Sequence, residues 1–143
     1  MRRDDMEACR IRGAGVLLPV SALPSPYGIG TLGNAAYRFI DQLHAAGQTY
    51  WQVLPIGPTG FGNSPYQSYS AFAGNPYFID LDRLAEQGLL TQNDILKFDW
   101  GENRSCISYD KIAEHRLQLL QTAYENSNHL YRSDYMEFCK KQE

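Results

Sequence analysis

Apolar positions first gather in a short run, residues 13–20 (GAGVLLPV), and then give way to turn formers over residues 21–33, with Pro24, Pro26, Gly28, Gly30 and Gly33. This pattern predicts a short buried strand followed by a long ordered loop. Ala35, Ala36, Phe39, Ile40, Leu43 and Ala46 then recur at three- and four-residue steps, which predicts a helix capped by Asn34 and stopped by Gly47. Residues 50–56 (YWQVLPI) are again apolar, but the run is short, rich in aromatic and branched side chains, and broken by Pro55. It reads as a second strand. Strand, helix, strand in that order implies a parallel pair joined by a right-handed crossover.

A loop over residues 57–76 follows, and residues 84–88 and 91–96 have the pattern of short helical turns. Over residues 110–126, Ile112, Leu117, Leu119, Leu120, Ala123 and Tyr124 fall mostly on one stripe, with Lys111, Glu114, Arg116 and Gln118 outside it. That is the signature of a long amphipathic helix. Residues 133–143 place Tyr135, Phe138 and Cys139 at helical steps and reach the last residue without a Gly, Asn or Pro. The chain is expected to be cut rather than finished.

Composition narrows the classes. The chain has 143 residues, 20% of them charged and 43% hydrophobic, which corresponds to about one soluble domain. A net charge of −3 without blocks of like charge recommends neither nucleic acid nor an anionic membrane as a partner. Residues 1–12 mix Arg and Asp without an apolar core, so no secretory signal is expected, and no apolar run is long enough to span a membrane. Cys9, Cys106 and Cys139 fit neither a disulfide framework nor a metal knuckle and read as reduced thiols of a cytoplasmic protein.

The most informative feature is a gap. Between Asp41 and Asp80 there is no Asp, Glu, Lys or Arg, while Tyr50, Trp51, Phe61, Tyr66, Tyr69, Phe72, Tyr77 and Phe78 alternate with amides and hydroxyls. A neutral sugar offers a C–H face and a rim of hydroxyls, so it is held by rings, amides and hydroxyls rather than by charge. Rings that merely anchor a loop in the core would explain the same composition. The loop is longer than connections usually are, and its glycines and prolines suggest one defined conformation walling a cleft. It holds no acid, so it cannot supply the carboxyl pair of glycosyl chemistry. Asp80 and Asp82, two apart, open a charged surface segment and are not expected to form that pair.

Gly28, Gly30 and Gly33 spell G-x-G-x-x-G before a helix, which raises dinucleotide binding as an alternative. Residues 21–27 separate these glycines from the strand, and residues 50–56 lack the acid that would hold a ribose hydroxyl. The glycines read better as the loop that docks the helix. His44 suits the end of its helix, and His115 and His129 share no metal-ligand spacing with any cysteine.

Two long segments, GVLLPVSALPSPYGIGTLG and YWQVLPIGPTGFGNSPYQSYSAFAGNPYFIDL, closely resemble the N-terminal part of the 4-alpha-glucanotransferases, the amylomaltases or disproportionating enzymes. The resemblance is strong from Gly13 to about Leu90 and looser over the helix that begins near Tyr109. It implies an α/β fold, the N-terminal part of a (β/α)8 TIM barrel that is incomplete in this chain, with residues 1–12 as an extension and residues 13–143 as barrel with insertion helices. It also implies transfer of alpha-1,4-glucan segments between maltooligosaccharides or starch-like chains by a retaining double displacement, without cofactor or metal. The family's two catalytic Asp residues and its Glu lie beyond this chain, so the chain alone is expected to be inactive, with the remainder of the barrel as its partner.

Carried over residue by residue, the resemblance assigns Ser64, Tyr66 and Gln67 of SPYQS to the substrate cleft, with Tyr66 packing on glucose. Phe61 stands where the family often has Tyr, so stacking can survive there without a hydroxyl. Asn75 and Trp51 are weaker candidates, each explained as well by loop anchoring and core packing. A self-standing alpha-glucan-binding module without catalysis is the main alternative, and a dinucleotide-binding domain the lesser one.

Overall fold

The computed structural model describes residues 12–101, 106–128 and 132–142. Cys9, His129 and all of the expected extension except Arg12 lie outside these residues. Strands β1 (Gly15–Leu17) and β2 (Tyr50–Gln52) form a parallel pair in which Val16 faces Trp51, and helix α1 (Asn34–Ala45) connects them. The expected strand, helix, strand unit is therefore present.

Both strands are shorter than their apolar runs. The ladder's last bond is Leu18 N–H to the Gln52 carbonyl, at 3.0 Å, after which the Leu18 carbonyl accepts from the Trp51 indole N–H at 2.8 Å instead of from β2's backbone. A tight 3₁₀ turn, Val20–Ala22, follows β1 directly. Its backbone packs on Gly30 so closely that a β-carbon there would lie 2.1 Å from the Val20 carbonyl oxygen.

The cap of α1 is Gly33 rather than Asn34, which is the helix's first residue. No side chain hydrogen-bonds at that cap, and the carboxylate of Asp80 packs against Gly33, a favourable place for a negative charge. At the other end Gly47 takes φ +68, donates to the His44 carbonyl at 2.9 Å, and Gln48 donates back to Leu43 at 2.9 Å. These two bonds form a Schellman stop, as the glycine predicts.

From residue 81 onward the described elements are helices: α2 (Leu81–Glu86), α3 (Gln92–Leu96), α4 (Tyr109–Asn126) and α5 (Ser133–Gln142). Asp80 caps α2, and Thr91 with Asp94 forms a capping box on α3. Apolar residues collect in two cores. One packs Val20, Leu23 and Ala36 with Phe39 and Trp51 beside the sheet; the other packs Leu81, Leu90, Ile95, Leu119 and Ala123 among the later helices. Tyr27, from the loop after β1, belongs to the second core and meets Trp100 edge-on at 5.9 Å.

The buried stripe of α4 differs from the expected one. It consists of Ile112, Arg116, Leu119 and Ala123, while Leu117 and Tyr124 are exposed. Residues 112, 116, 119 and 123 follow four- and three-residue steps, so Arg116 sits on the inner face by position although its charge argues for the outer one.

Candidate functional site

The charge-free loop starts where β2 ends and closes on itself. The Asn75 N–H donates to the Ile56 carbonyl at 2.8 Å, which joins the two ends. Within it, a 3₁₀ turn at Phe61–Asn63 places Gly62 at φ 66 and Asn63 at φ 58, the left-handed region that Gly and Asn tolerate best. Gly60 lies under the returning strand of the loop, where a β-carbon would meet the Gln67 carbonyl oxygen at 1.9 Å. Serines hold the rest: Ser68 Oγ donates to the Ser70 carbonyl at 2.7 Å, and Ser70 Oγ accepts from Ala73 N–H at 3.0 Å. The loop is thus fixed by its own hydrogen bonds, in the manner of a compact Ω-loop.

Its rings are accordingly free of the core. Phe61 is 91% exposed, Tyr66 73%, Tyr69 79% and Phe72 100%. Core anchoring therefore does not explain these four. It does explain Trp51, whose indole N–H donates to the Leu18 carbonyl at 2.8 Å and whose ring meets Phe39 at 5.1 Å. Trp51 is a packing residue.

Two recesses adjoin the loop. An open groove of about 490 Å³ runs past Pro55, Ile56, Pro65, Tyr66, Ser70 and Phe72. A smaller recess of about 110 Å³ lies among Pro19, Ser21, Leu54, Thr59, Asn75 and Tyr109. Because Pro19 and Ser21 follow β1 and Leu54 follows β2, the smaller recess sits at the carboxyl ends of both strands, where ligands of parallel α/β sheets bind. Pro55 and Pro65 line both, so the two are neighbours.

Of the expected site residues, Tyr66 lines the groove. Ser64 is half-buried and lines neither recess, its Oγ accepting from the Tyr66 N–H at 3.3 Å. Gln67 has an exposed side chain, and Phe61 projects from the 3₁₀ turn without lining either recess. Asn75 is buried, its Oδ1 accepts from the Tyr77 N–H at 2.9 Å, and it lines the smaller recess. Loop anchoring, one of the two roles open to it, is therefore visible in the structure. Tyr109 arrives from α4, far along the chain, and no local sequence signal pointed to it. Burial raises the Tyr109 and Tyr77 hydroxyl pKa values above the usual tyrosine range.

Neither recess is lined by an acidic or basic side chain. The arrangement can hold a neutral polyhydroxy ligand, but it offers no proton donor or nucleophile for breaking a glycosidic bond. Asp80 and Asp82 are occupied structurally: Asp80 accepts from Thr31 Oγ1 at 2.5 Å and Asp82 accepts from the Tyr27 hydroxyl at 2.5 Å. The Asp80 carboxylate lies against Gly33 at the start of α1 and would repel a phosphate there, which counts against the dinucleotide alternative. Among the described residues, no helix is long and apolar enough to cross a membrane.

The 4-alpha-glucanotransferase family model matches residues 18–143. The 4-alpha-glucanotransferase of Clostridium butyricum is 53% identical over 109 residues, which cover 76% of this chain and 22% of that protein. The 4-alpha-glucanotransferase of Synechocystis sp. is 44% identical over 135 residues, covering 92% and 26% respectively. Among solved structures, the amylomaltase of Streptococcus agalactiae in complex with acarbose superposes with a TM-score of 0.81 at 37% identity, covering 91% of this chain and 26% of that one. The chain thus spans about a quarter of the length of the proteins it resembles.

Proposed function

From the premise that this chain belongs to the 4-alpha-glucanotransferase family, we propose that it is the N-terminal part of a (β/α)8 barrel that transfers alpha-1,4-glucan segments between maltooligosaccharides. Residues 13–143 supply the first two strands with their insertion helices. A closed barrel needs about 200 residues or more, so further strands bring the carboxylates of a retaining double displacement. The glucan chain runs along the loop of residues 57–76, with Tyr66 stacked on a glucose ring and the Ser64–Gln67 segment and Asn75 beside it. Phe61 offers a second stacking face. No cofactor or metal takes part, and the free thiols Cys106 and Cys139 fit a reducing compartment such as the cytoplasm.

The observation that carries this reading is the charge-free loop, with exposed Tyr66 and Phe72 rings along an open groove beside the strands' carboxyl ends. Acarbose, an oligosaccharide analogue, is bound by the Streptococcus agalactiae amylomaltase, which supports a sugar as the ligand class. The test is a chimera in which residues 18–143 replace the matching segment of the Synechocystis relative, whose match covers 92% of this chain. Disproportionation of maltotriose into longer and shorter chains is expected. A folded chimera that binds maltoheptaose yet transfers nothing would favour a binding module, and one that does neither would end the proposal.

A further inference from the structure

Arg116 is the largest side chain among those with no exposed surface. It occupies the inner stripe of α4 between Ile112 and Leu119, yet among the described residues only its Nη2 reaches an acceptor, the backbone carbonyl of Ile79. Its Nε and Nη1 have none. A guanidinium sealed from water with unmet donors is costly, and an apolar side chain of similar volume would avoid that cost. Burial accordingly pulls its pKa down to about 10, against the opposing charge of nearby Asp80. What Arg116 adds over an apolar residue is direction: it fixes one carbonyl 37 residues away.

That carbonyl belongs to the root of the charge-free loop. Just before it, the Leu32 N–H donates to the Phe78 carbonyl at 2.9 Å, and Asn75 caps the 3₁₀ turn Pro76–Phe78. Just after it, Asp80 receives the Thr31 hydroxyl and the Arg83 N–H. The N-terminal segment thus holds the root from one side, and Arg116 holds it from α4, an element of the other core.

We propose that Arg116 is a positioning residue for this loop, holding the Ile79 carbonyl so that the Pro76–Phe78 turn and the groove between Tyr66 and Phe72 keep one shape. The clamp stands on the hydrogen bonds alone; what the groove receives rests on the glucan reading above. Arg116 touches neither recess and acts only through the backbone it holds.

The test compares the full chain with Arg116→Met and Arg116→Lys by amide hydrogen exchange and by titration with maltoheptaose. In Arg116→Met, amides of residues 57–78 are expected to exchange about tenfold faster while those of α4 stay within about twofold. Maltoheptaose affinity is expected to fall by about threefold or more, and Arg116→Lys, which returns a donor to the Ile79 carbonyl, to recover both. Unchanged loop exchange overturns the proposal, as does a uniform rise across α2, α4 and the loop that Lys does not rescue, because packing alone explains that result. If the unmutated chain fails to bind maltoheptaose, the glucan reading falls by itself and loop exchange still decides the role of Arg116. Arg116→Gln replaces Arg116→Met, with the same expectation, if the latter does not fold.

Discussion

A β-carbon placed on Gly33 would lie 1.9 Å from Oδ2 of Asp80, a carboxylate that accepts from the Thr31 hydroxyl and, through Oδ1, from the Arg83 N–H. Gly33 is therefore required for space rather than for an unusual backbone angle, since its φ of −109 is open to any residue. One carboxylate thereby caps the start of α2 and packs against the start of α1. Arg83 strengthens the same junction by stacking over the Tyr37 ring of α1 at 4.9 Å.

Gly33→Ala is expected to destabilise the fold by about 1–3 kcal/mol, because Asp80 is held by two hydrogen bonds and cannot simply swing aside. Urea denaturation measures this, and a loss below about 0.5 kcal/mol would mean that the carboxylate has somewhere else to go.

Tyr27 makes a pH-dependent contribution. Burial, followed by its bond to Asp82, raises its hydroxyl to about 12 from 10.0. Because the folded value lies above the unfolded one, the contribution is complete below pH 10 and is lost as pH rises toward 12. Arg116, depressed to about 10, runs in the opposite sense over the same range. The difference between Tyr27→Phe and the unmutated chain isolates the tyrosine. That variant should lose less stability between pH 9 and 12, read as a flatter dependence of the urea midpoint on pH.

The corrected face of α4 predicts unequal costs for two leucines two positions apart. Leu119 is 2% exposed within the helical core, so Leu119→Ala should cost about 2–5 kcal/mol. Leu117 is 54% exposed, and Leu117→Ala should change stability by no more than about 0.5 kcal/mol. Equal losses in paired denaturation curves would return Leu117 to the core.

Tyr66→Ala removes an exposed ring from the groove, so stability should hold within about 0.5 kcal/mol. Maltoheptaose affinity should drop by about three- to tenfold, the equivalent of about 0.5–1.5 kcal/mol for one ring contact. Calorimetry on both chains decides, and unaltered affinity would take Tyr66 out of the binding surface.

Much of the fold was legible because its causes are local. Gly47 ends α1 through its own left-handed backbone, and the three- and four-residue steps of Ala35, Ala36, Phe39 and Leu43 mark the helix it ends. The charge-free loop was legible in the same way, since the absence of Asp, Glu, Lys and Arg is a property of the string itself. Less legible was any choice between equivalent positions. Arg116 and Leu117 are neighbours, and side-chain chemistry ranks the leucine as the buried one; the reverse holds because residue 116 completes the step from Ile112 to Leu119.

The order of strands and helices, the neutral ring-rich composition of the loop and its likeness to alpha-glucan enzymes all follow from the amino-acid sequence, since each depends on residue type and spacing along the chain. Only the tertiary structure decided which rings stand free and which pack. Tyr66 and Phe72 border a groove while Trp51 turns inward to Phe39 and Leu18. The same is true of the bond from Arg116 to the Ile79 carbonyl and the approach of Asp80 to Gly33. These joins link residues dozens of positions apart, and no local propensity encodes a contact whose partner is brought in by the packing of another element.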